Sequence, residues 1–334
     1  MNAMRELVPT AAAQAEAWAR RALPPVDRVR PDVWAIPVPL DLPIRFTYAY
    51  LINVAAGAVL IDPGASGPEA EAALDAGFAA AGVPLDALRG IVVTHYHFDH
   101  WEGADDLAAR TGAWIGIGEH EQQWIDRLDS DQLHADAAAV RFRAHGAPAD
   151  RAEAFAAVED YRFTRLHVEP THRLRDRALL PVPGERLRVL WTPGHSPGHI
   201  CLYDEKRKLL FSGDHVLPRI TPHVALNPFG SPDPLGQYLG SLEALLPFAD
   251  AEVLPAHEYR FSGLHARLAQ LTAGIEERLD EVAAATAGTP DASAWDIARQ
   301  LTWSRPFESF EVPSQRMALV ESAAHLAHLR LARS

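Results

Sequence analysis

Residues 94–100 read Thr94-His95-Tyr96-His97-Phe98-Asp99-His100, and they follow the apolar run Ile91-Val92-Val93. A short apolar run of this kind is typical of a buried strand. A strand that ends in three imidazoles and a carboxylate places four potential metal ligands on one tight turn. Imidazole and carboxylate ligands suit zinc, iron or manganese. Because a solvated surface loop has no structural need for such a cluster, the stretch predicts a metal site.

Four further acidic or imidazole residues each follow an apolar, strand-like run elsewhere in the chain. They are Asp62 after residues 58–61, His195 after 187–191, Asp214 after 208–211 and His257 after 252–254. Binding residues are commonly held on loops over a rigid scaffold. We therefore expect these four residues to lie beside the cluster at residues 95–100, along one edge of a sheet assembly.

The motif HxHxDH at residues 95–100, followed in order by His195, Asp214 and His257, resembles the signature of the metallo-β-lactamase superfamily in its glyoxalase II-like branch. The resemblance covers about residues 33–261. It implies an α/β fold, an αββα sandwich in which two mixed β-sheets pack face to face with helices outside. Here a helical insertion and a small helical C-terminal domain are expected in addition.

The resemblance also implies a hydrolase with two divalent metal ions, with zinc expected and iron or manganese as alternatives. Carried over by position, the first ion would be held by His95, His97 and His195. The second would be held by Asp99, His100 and His257, and Asp214 would bridge the two. A hydroxide shared by the ions would then attack an acyl carbon, with Asp99 and Asp214 as the catalytic carboxylates.

Other residues could support this site. Asp62 resembles the family's aspartate that orients a ligand histidine, although a simple turn role is the alternative. His199 could form a hydrogen bond near the metals or serve the structure alone. Arg219 and His223, on the loop after the bridging aspartate, could line the substrate pocket. Glu102 stands where many relatives have a glycine; it either begins the next helix or adds charge near the second metal.

Composition sets the outer bounds on function. The chain has 334 residues, a net charge of −13 and one cysteine. The acidic balance argues against a nucleic-acid partner, because phosphate contact favours a basic surface. One cysteine excludes an internal disulfide framework. No run approaches the ~18 apolar residues of a membrane span, and no secretory h-region is visible. We expect a cytoplasmic protein without a membrane partner, and the Ala- and Arg-rich composition suggests a bacterium.

Periodicity divides the chain into three parts. Residues 1–30 are predicted as a helical N-terminal extension and residues 31–262 as the sandwich domain. A helical insertion at about 119–168 either covers the sandwich or acts as a lid on the substrate pocket. Residues 263–334 repeat apolar positions at helical spacing and resemble the winged-helix-like tail of some superfamily members.

The C-terminal part bears on the choice of substrate. It carries seven arginines and no lysine against nine acidic residues, whereas a winged helix that reads DNA is normally basic. We therefore expect this part to pack within the chain or to form a homodimer. The favoured function is hydrolysis of a thioester, ester or lactone of a small molecule. A ribonuclease or phosphodiesterase of the same superfamily is the alternative.

Overall fold

The computed structural model describes residues 7–128, 135–158 and 170–333. The described strands are β1 (Val8–Pro9), β2 (Asp27–Arg30), β3 (Val33–Pro39), β4 (Phe46–Val54), β5 (Gly57–Ile61), β6 (Leu88–Val93), β7 (Trp114–Gly118), β8 (His172–Leu174), β9 (Leu187–Trp191), β10 (Ile200–Asp204), β11 (Leu209–Gly213), β12 (Glu252–Pro255) and β13 (Phe261–Ser262). The described helices are α1 (Ala12–Ala19), α2 (Pro68–Ala81), α3 (Phe98–Trp101), α4 (Gly103–Thr111), α5 (Glu119–Leu128), α6 (Ala135–Ala144), α7 (Ala149–Val158), α8 (Pro234–Ala244), α9 (Leu264–Thr286), α10 (Ala294–Ala298) and α11 (Val312–Leu331).

The described strands form two mixed sheets. The first has seven strands in the order β2-β3-β4-β5-β6-β7-β8, and the second has six in the order β1-β13-β12-β11-β10-β9. In the first sheet, β2 to β5 pair antiparallel and β5 to β8 pair parallel. In the second sheet, β11 and β12 are parallel and the other pairs are antiparallel.

Strand β4 shows how the sequence places the sheets face to face. Successive side chains of a strand point to opposite faces. Tyr48 and Tyr50 lie in the core between the sheets, where the ring of Tyr50 is 5.3 Å from that of Phe211 on β11. Leu51 faces the other way and packs in a cluster with Phe78 of α2. Helices therefore cover the outer face of the first sheet, and its inner face packs against the second sheet.

The second sheet is covered in the same manner. Leu210 of β11 and Val253 of β12 share a buried cluster with Leu235 of α8 and Leu268 of α9. The layers are thus helices, sheet, sheet and helices, so the predicted αββα sandwich is confirmed.

The described part of the insertion packs in two places. Trp124 and Ile125 of α5 join the core outside the first sheet. Phe142 of α6 and Phe155 of α7 pack in a cluster with Leu319 of α11. The insertion therefore covers the sandwich and also joins it to the C-terminal helices. A lid movement stays a prediction, and His134 and His167, which show no ligand spacing in the sequence, lie outside the described residues.

The two ends of the sandwich domain connect to flanking segments. Helix α1 lies within the predicted N-terminal extension, and β1 and β2 of the same segment pair with β13 and β3. In residues 263–333 the structure describes helices and turns but no strand, so the likeness to a winged helix stays a prediction, as do the domain boundaries. Among the helices of the described ranges, none is both long and apolar enough to cross a bilayer.

Candidate metal centre

The predicted site residues follow five strands that end at one edge of the sandwich. Strands β5 and β6 lead into Asp62 and residues 94–100, and β9, β11 and β12 of the other sheet lead into residues 192–199, Asp214 and His257. Backbone bonds hold the two edges together: the N–H of Ile200 donates to the carbonyl of Thr94 at 3.0 Å, and that of Tyr48 to Ala256 at 2.7 Å. Loops from separate sheets are thereby brought side by side.

The first group of potential ligands contains three imidazoles and a carboxylate. His95 Nε2 lies 2.8 Å from His97 Nδ1, and His195 Nε2 lies 3.0 Å from the same atom. Asp214 Oδ2 is 3.6 Å from His195 Nε2. One atom from each of the four side chains falls within 4.8 Å of all the others, a spacing that could hold a metal ion.

The second group lies directly beside the first. His257 Nε2 is 3.4 Å from Asp99 Oδ2, and His100 Nε2 is 3.6 Å from the same oxygen. Asp214 also reaches this group, because its Oδ1 is 3.2 Å from His257 Nε2 and its Oδ2 is 3.6 Å from His100 Nε2. The Asp214 carboxylate therefore contacts both groups.

Two buried polar atoms that lack a hydrogen-bond partner indicate that these residues fit a metal. In the part of the chain that the structure describes, His100 Nε2 and Asp214 Oδ1 are buried and have no hydrogen-bond partner. A buried polar atom without a partner costs ~1–3 kcal/mol, so such atoms need a compensating ligand. Lone pairs of imidazole and carboxylate directed at one point suit a divalent cation. The donor set fits the two-metal expectation.

Hydrogen bonds behind the imidazoles of His95 and His100 fix which nitrogen faces the centre. Asp62 Oδ2 accepts from the Thr94 hydroxyl and from His100 Nδ1, both at 2.8 Å. The Thr94 hydroxyl then accepts from His95 Nδ1 at 3.0 Å. With Nδ1 donating outward, each Nε2 keeps its lone pair for a metal. Asp62 thus contacts His100 as the resemblance implies, and its φ of 50° also makes it a turn residue.

Backbone carbonyls hold two further imidazoles, those of His195 and His257. His195 Nδ1 donates to the carbonyl of His223 at 2.8 Å, and His257 Nδ1 donates to that of Phe46 at 2.8 Å. His223 therefore supports the site through its backbone, while its ring faces the carbonyl of Met317 at 3.1 Å. The sequence contained no signal for the two carbonyls, because every residue type has one.

The structure also places the other candidate residues. His199 Nδ1 donates to the Thr192 hydroxyl at 2.9 Å, and its Nε2 accepts from the backbone N–H of Asp214 at 3.3 Å. Arg219 has an exposed side chain, and its backbone N–H donates to Glu258 at 2.8 Å. Glu102 accepts from the Ser66 hydroxyl at 3.0 Å, so its carboxylate is directed at the loop after β5.

Burial and neighbouring charges together lower some pKa values in the centre and raise others. Burial pushes the pKa of His95 well below its ordinary value, and neighbouring imidazoles, with His100 first, push it the same way. Burial also opposes protonation of His100, but Asp99, Asp214 and Asp62 outweigh it and raise its pKa. Burial alone would raise the pKa of Asp214, yet His257 and His100 lower it strongly. The lowered pKa keeps Asp214 anionic, which is the form of a carboxylate that binds a cation.

A cavity of about 590 Å³ opens onto the centre. His97, His195 and Asp214 form one part of its wall. The rest is mainly apolar and comes from the loops after β6 and β11, the loop before β4 and helices α3, α6, α7 and α11. Its apolar members include Ile44, Leu217, Ile220, Leu226, Met317 and Val320, and its polar members include Arg141 and Arg316. Such a combination of apolar walls and a few convergent polar groups is typical of a small-molecule site.

The comparison with known families agrees with this geometry. The profile described as "Metallo-beta-lactamase superfamily" matches residues 42–257, which contain both groups of potential ligands. The chain belongs to this superfamily. The matched residues include strands of both sheets as well as the His/Asp groups described above.

Two proteins with known names show what the chain resembles within the superfamily. Human acyl-coenzyme A thioesterase MBLAC2 is 30% identical over 173 residues, which are 50% of this chain and 54% of that protein. Hydroxyacylglutathione hydrolase of Ectopseudomonas mendocina (strain ymp) is 28% identical over 177 residues, which are 53% of this chain and 50% of that protein. The chain spans about half the length of each of these relatives. The resemblance to the glyoxalase II-like branch is confirmed.

A solved structure extends the likeness beyond the matched domain. The crystal structure of the metallo-beta-lactamase family protein TTHA1429 from Thermus thermophilus has a TM-score of 0.75 and 27% identity. The alignment covers 92% of this chain and 95% of that chain. The shared architecture therefore reaches past residues 42–257 into the flanking segments.

Proposed function

We propose that the chain is a dinuclear hydrolase that cleaves the acyl bond of a small-molecule thioester, ester or lactone. The observation that carries the proposal is the cavity of about 590 Å³ in which His97, His195 and Asp214 share a wall with apolar side chains. An apolar acyl group bound there lies beside the candidate metal ligands. No nucleic-acid or membrane partner is proposed.

The two groups of side chains would hold two divalent cations, with zinc as the expected metal and iron or manganese as alternatives. His95, His97 and His195 would hold one cation, Asp99, His100 and His257 would hold the other, and Asp214 would bridge them. When bound, the cations supply an activated water for attack and polarise the acyl carbonyl. The chain itself supplies the ligands and their fixed orientation.

The residues around the groups make the centre rigid. The Nδ1 bonds of His100 to Asp62, of His195 to the His223 carbonyl and of His257 to the Phe46 carbonyl are each 2.8 Å long. Held in this way, three imidazoles present Nε2 without losing rotamer freedom on metal binding. His199 acts on the same centre by accepting from the backbone of Asp214.

The apolar wall determines which end of the substrate enters. Leu217, Leu226 and Val320 can bury an acyl chain, and burial of each methylene group contributes ~0.8 kcal/mol to binding. The relatives named above are an acyl-coenzyme A thioesterase and a hydroxyacylglutathione hydrolase. Both names describe hydrolysis of an acyl compound, so an acyl thioester is the first substrate class to test.

The test pairs metal content with a hydrolysis panel on the purified chain. The panel contains acyl thioesters of increasing chain length, aryl esters, lactones and a bis-aryl phosphodiester. The proposal expects two metal ions per chain and turnover of an acyl substrate that a chelator abolishes and added zinc restores. Turnover of the phosphodiester alone would overturn the acyl assignment and favour a phosphodiesterase. One metal ion per chain in the fully active protein would overturn the dinuclear assignment.

A further inference from the structure

Glu121 is a buried carboxylate that takes no part in the proposed metal ligation. It lies in the first turn of α5, and its side chain is fully shielded from solvent. Its Oε1 accepts from the backbone N–H of Tyr96 at 2.9 Å and from the Ser196 hydroxyl at 2.6 Å. Its Oε2 accepts from the backbone N–H of Gly198 at 2.6 Å. An acid on the same helix face as Trp124 and Ile125 is the sequence signal that could have revealed it.

The three donors belong to the two loops that carry the three imidazoles of the first group. Tyr96 stands between His95 and His97, and Ser196 follows His195 directly. The first loop comes from β6 of one sheet and the second from β9 of the other. A single carboxylate therefore joins the loops that carry three imidazoles of one group, and these loops come from different sheets.

The backbone fits Glu121 tightly. A Cβ added at Gly198 would lie 1.9 Å from the backbone nitrogen of Glu121, closer than any real contact. A Cβ at Gly118, at the end of β7, would lie 2.5 Å from the carbonyl oxygen of Gly198. The ring of Trp124, one turn further along α5, packs 4.5 Å from that of Tyr96. The start of α5 and the two loops thus form one close-packed unit.

We propose that Glu121 is a positioning residue that holds the loops of His95, His97 and His195 in register, so that the three imidazoles converge on one metal ion. The proposal rests on the proposed metal centre. Glu121 touches none of the three imidazoles in the described contacts and acts through the backbone of their neighbours.

The chemistry of the contacts favours this role over simple burial. A buried carboxyl is costly unless its oxygens are hydrogen-bonded, and three donors reach these oxygens. Burial raises the pKa of Glu121 to about 7, and the donors from Ser196, Tyr96 and Gly198 oppose that rise. Tyr96 and Gly198 donate to different oxygens of the carboxyl group, so one side chain is bonded to both loops.

The test uses Glu121→Gln, which keeps the side-chain volume but replaces one oxygen with an NH2 group that cannot accept. At least one of the three bonds is then lost. Glu119→Gln is the matched control, because Glu119 lies in the same helical turn and its carboxylate faces Arg175 at 3.5 Å instead. Ser196→Ala removes only the 2.6 Å bond from the hydroxyl and serves if Glu121→Gln does not fold.

Two measurements separate positioning from general stability. The first is backbone hydrogen exchange of the metal-free protein, in which the amides of Tyr96 and Gly198 should exchange faster in Glu121→Gln and at an unchanged rate in Glu119→Gln. The second is zinc binding measured in competition with a chelator. One of the two stepwise dissociation constants should rise ~10- to 100-fold, as on loss of a group that orients ligands, while the other stays within about twofold.

Each outcome decides something. Wild-type protein that binds no zinc would overturn the proposed metal centre and this role with it. Wild-type protein that binds two zinc ions, with a Glu121→Gln variant that keeps both constants, would overturn the role of Glu121 alone. A variant with a lower melting temperature and both constants raised equally would show a merely structural residue. Selective loss at one site would support the proposal.

Discussion

Asp62 Oδ2 lies 2.8 Å from His100 Nδ1, and both side chains are buried at the edge of the first sheet. The same aspartate accepts from the backbone N–H and the hydroxyl of Thr94, each at 2.8 Å. One carboxylate therefore orients His100 directly and His95 through Thr94. Asp62 therefore links the two groups of potential ligands on the Nδ1 side of the imidazoles, away from the proposed metals.

Asp62→Asn should weaken metal binding without unfolding the chain. Asparagine tolerates the positive φ of 50° at this position, but its NH2 group cannot accept from all three donors. We expect a ~10- to 100-fold loss of metal affinity, measured by chelator competition. Asp75→Asn is the control, because Asp75 is about half exposed and pairs with Arg110. Equal affinities for Asp62→Asn and wild-type protein would contradict the orienting role.

Asp214→Ala should remove the contact between the two groups. Its carboxylate lies 3.6 Å from both His195 Nε2 and His100 Nε2, so its loss affects both proposed sites. We expect fewer than two metal ions per chain and near-complete loss of turnover, measured by elemental analysis beside the hydrolysis assay. His145→Ala is the control and should leave both values nearly unchanged, because His145 belongs to neither group of potential ligands. A variant at Asp214 that retained two metal ions and full turnover would show that the bridge assignment is wrong.

The site residues that could be predicted from the sequence are the histidines and aspartates, because their side chains are themselves potential metal ligands. The strand runs ahead of Asp62, His195 and His257 were recognisable, because hydrophobic periodicity is a local property. The carbonyls of Phe46 and His223 were not, since their role depends only on where the backbone passes. Tertiary placement, rather than composition, decides such contacts.

Arg219 and Glu121 also show that tertiary contacts could not be predicted from the sequence. Arg219 was a candidate for the pocket by its position on the loop, yet its side chain is exposed and its backbone N–H bonds to Glu258. Glu121 was an ordinary helix residue in the sequence, yet it meets Ser196 from a loop 75 positions away. Sequence spacing predicts neighbours within an element, whereas contacts between distant loops depend on how the sheets pack.

Met317→Trp should select against long acyl chains. Met317 lines the cavity on α11 and is 42% exposed, so a larger side chain fits there without repacking the core. Filling the cavity should lower kcat/KM for long-chain thioesters ~10-fold, a typical cost of misfit in an apolar pocket, and leave short-chain thioesters unaffected. Leu246→Trp is the control, since Leu246 is equally exposed at 42% and lies outside the cavity wall. Equal losses for short and long chains would place the acyl group elsewhere.

Glu121 should make stability depend on pH in a defined window. Burial raises its pKa to about 7 from an ordinary value of 4.5, although its hydrogen bonds from Ser196, Tyr96 and Gly198 oppose the shift. Below pH 4.5 the acid is protonated in both folded and unfolded chains, and its contribution to stability is fully present. As the pH rises from 4.5 to about 7, Glu121 ionises in the unfolded chain before it ionises in the folded chain, so its contribution to stability is progressively lost. Above about pH 7 the loss is complete.

Glu121→Gln cannot ionise and should lack this pH dependence. The free energy of unfolding of wild-type protein should therefore fall relative to that of the variant between pH 4.5 and about 7, and the difference should then stay constant. Urea unfolding of both proteins at each pH, with chelator present, measures it, and the comparison cancels groups common to both. Glu119→Gln should track wild-type protein throughout. A difference that moved the other way with pH would mean that the folded protein favours the ionised carboxylate, and that the three donors outweigh the effect of burial.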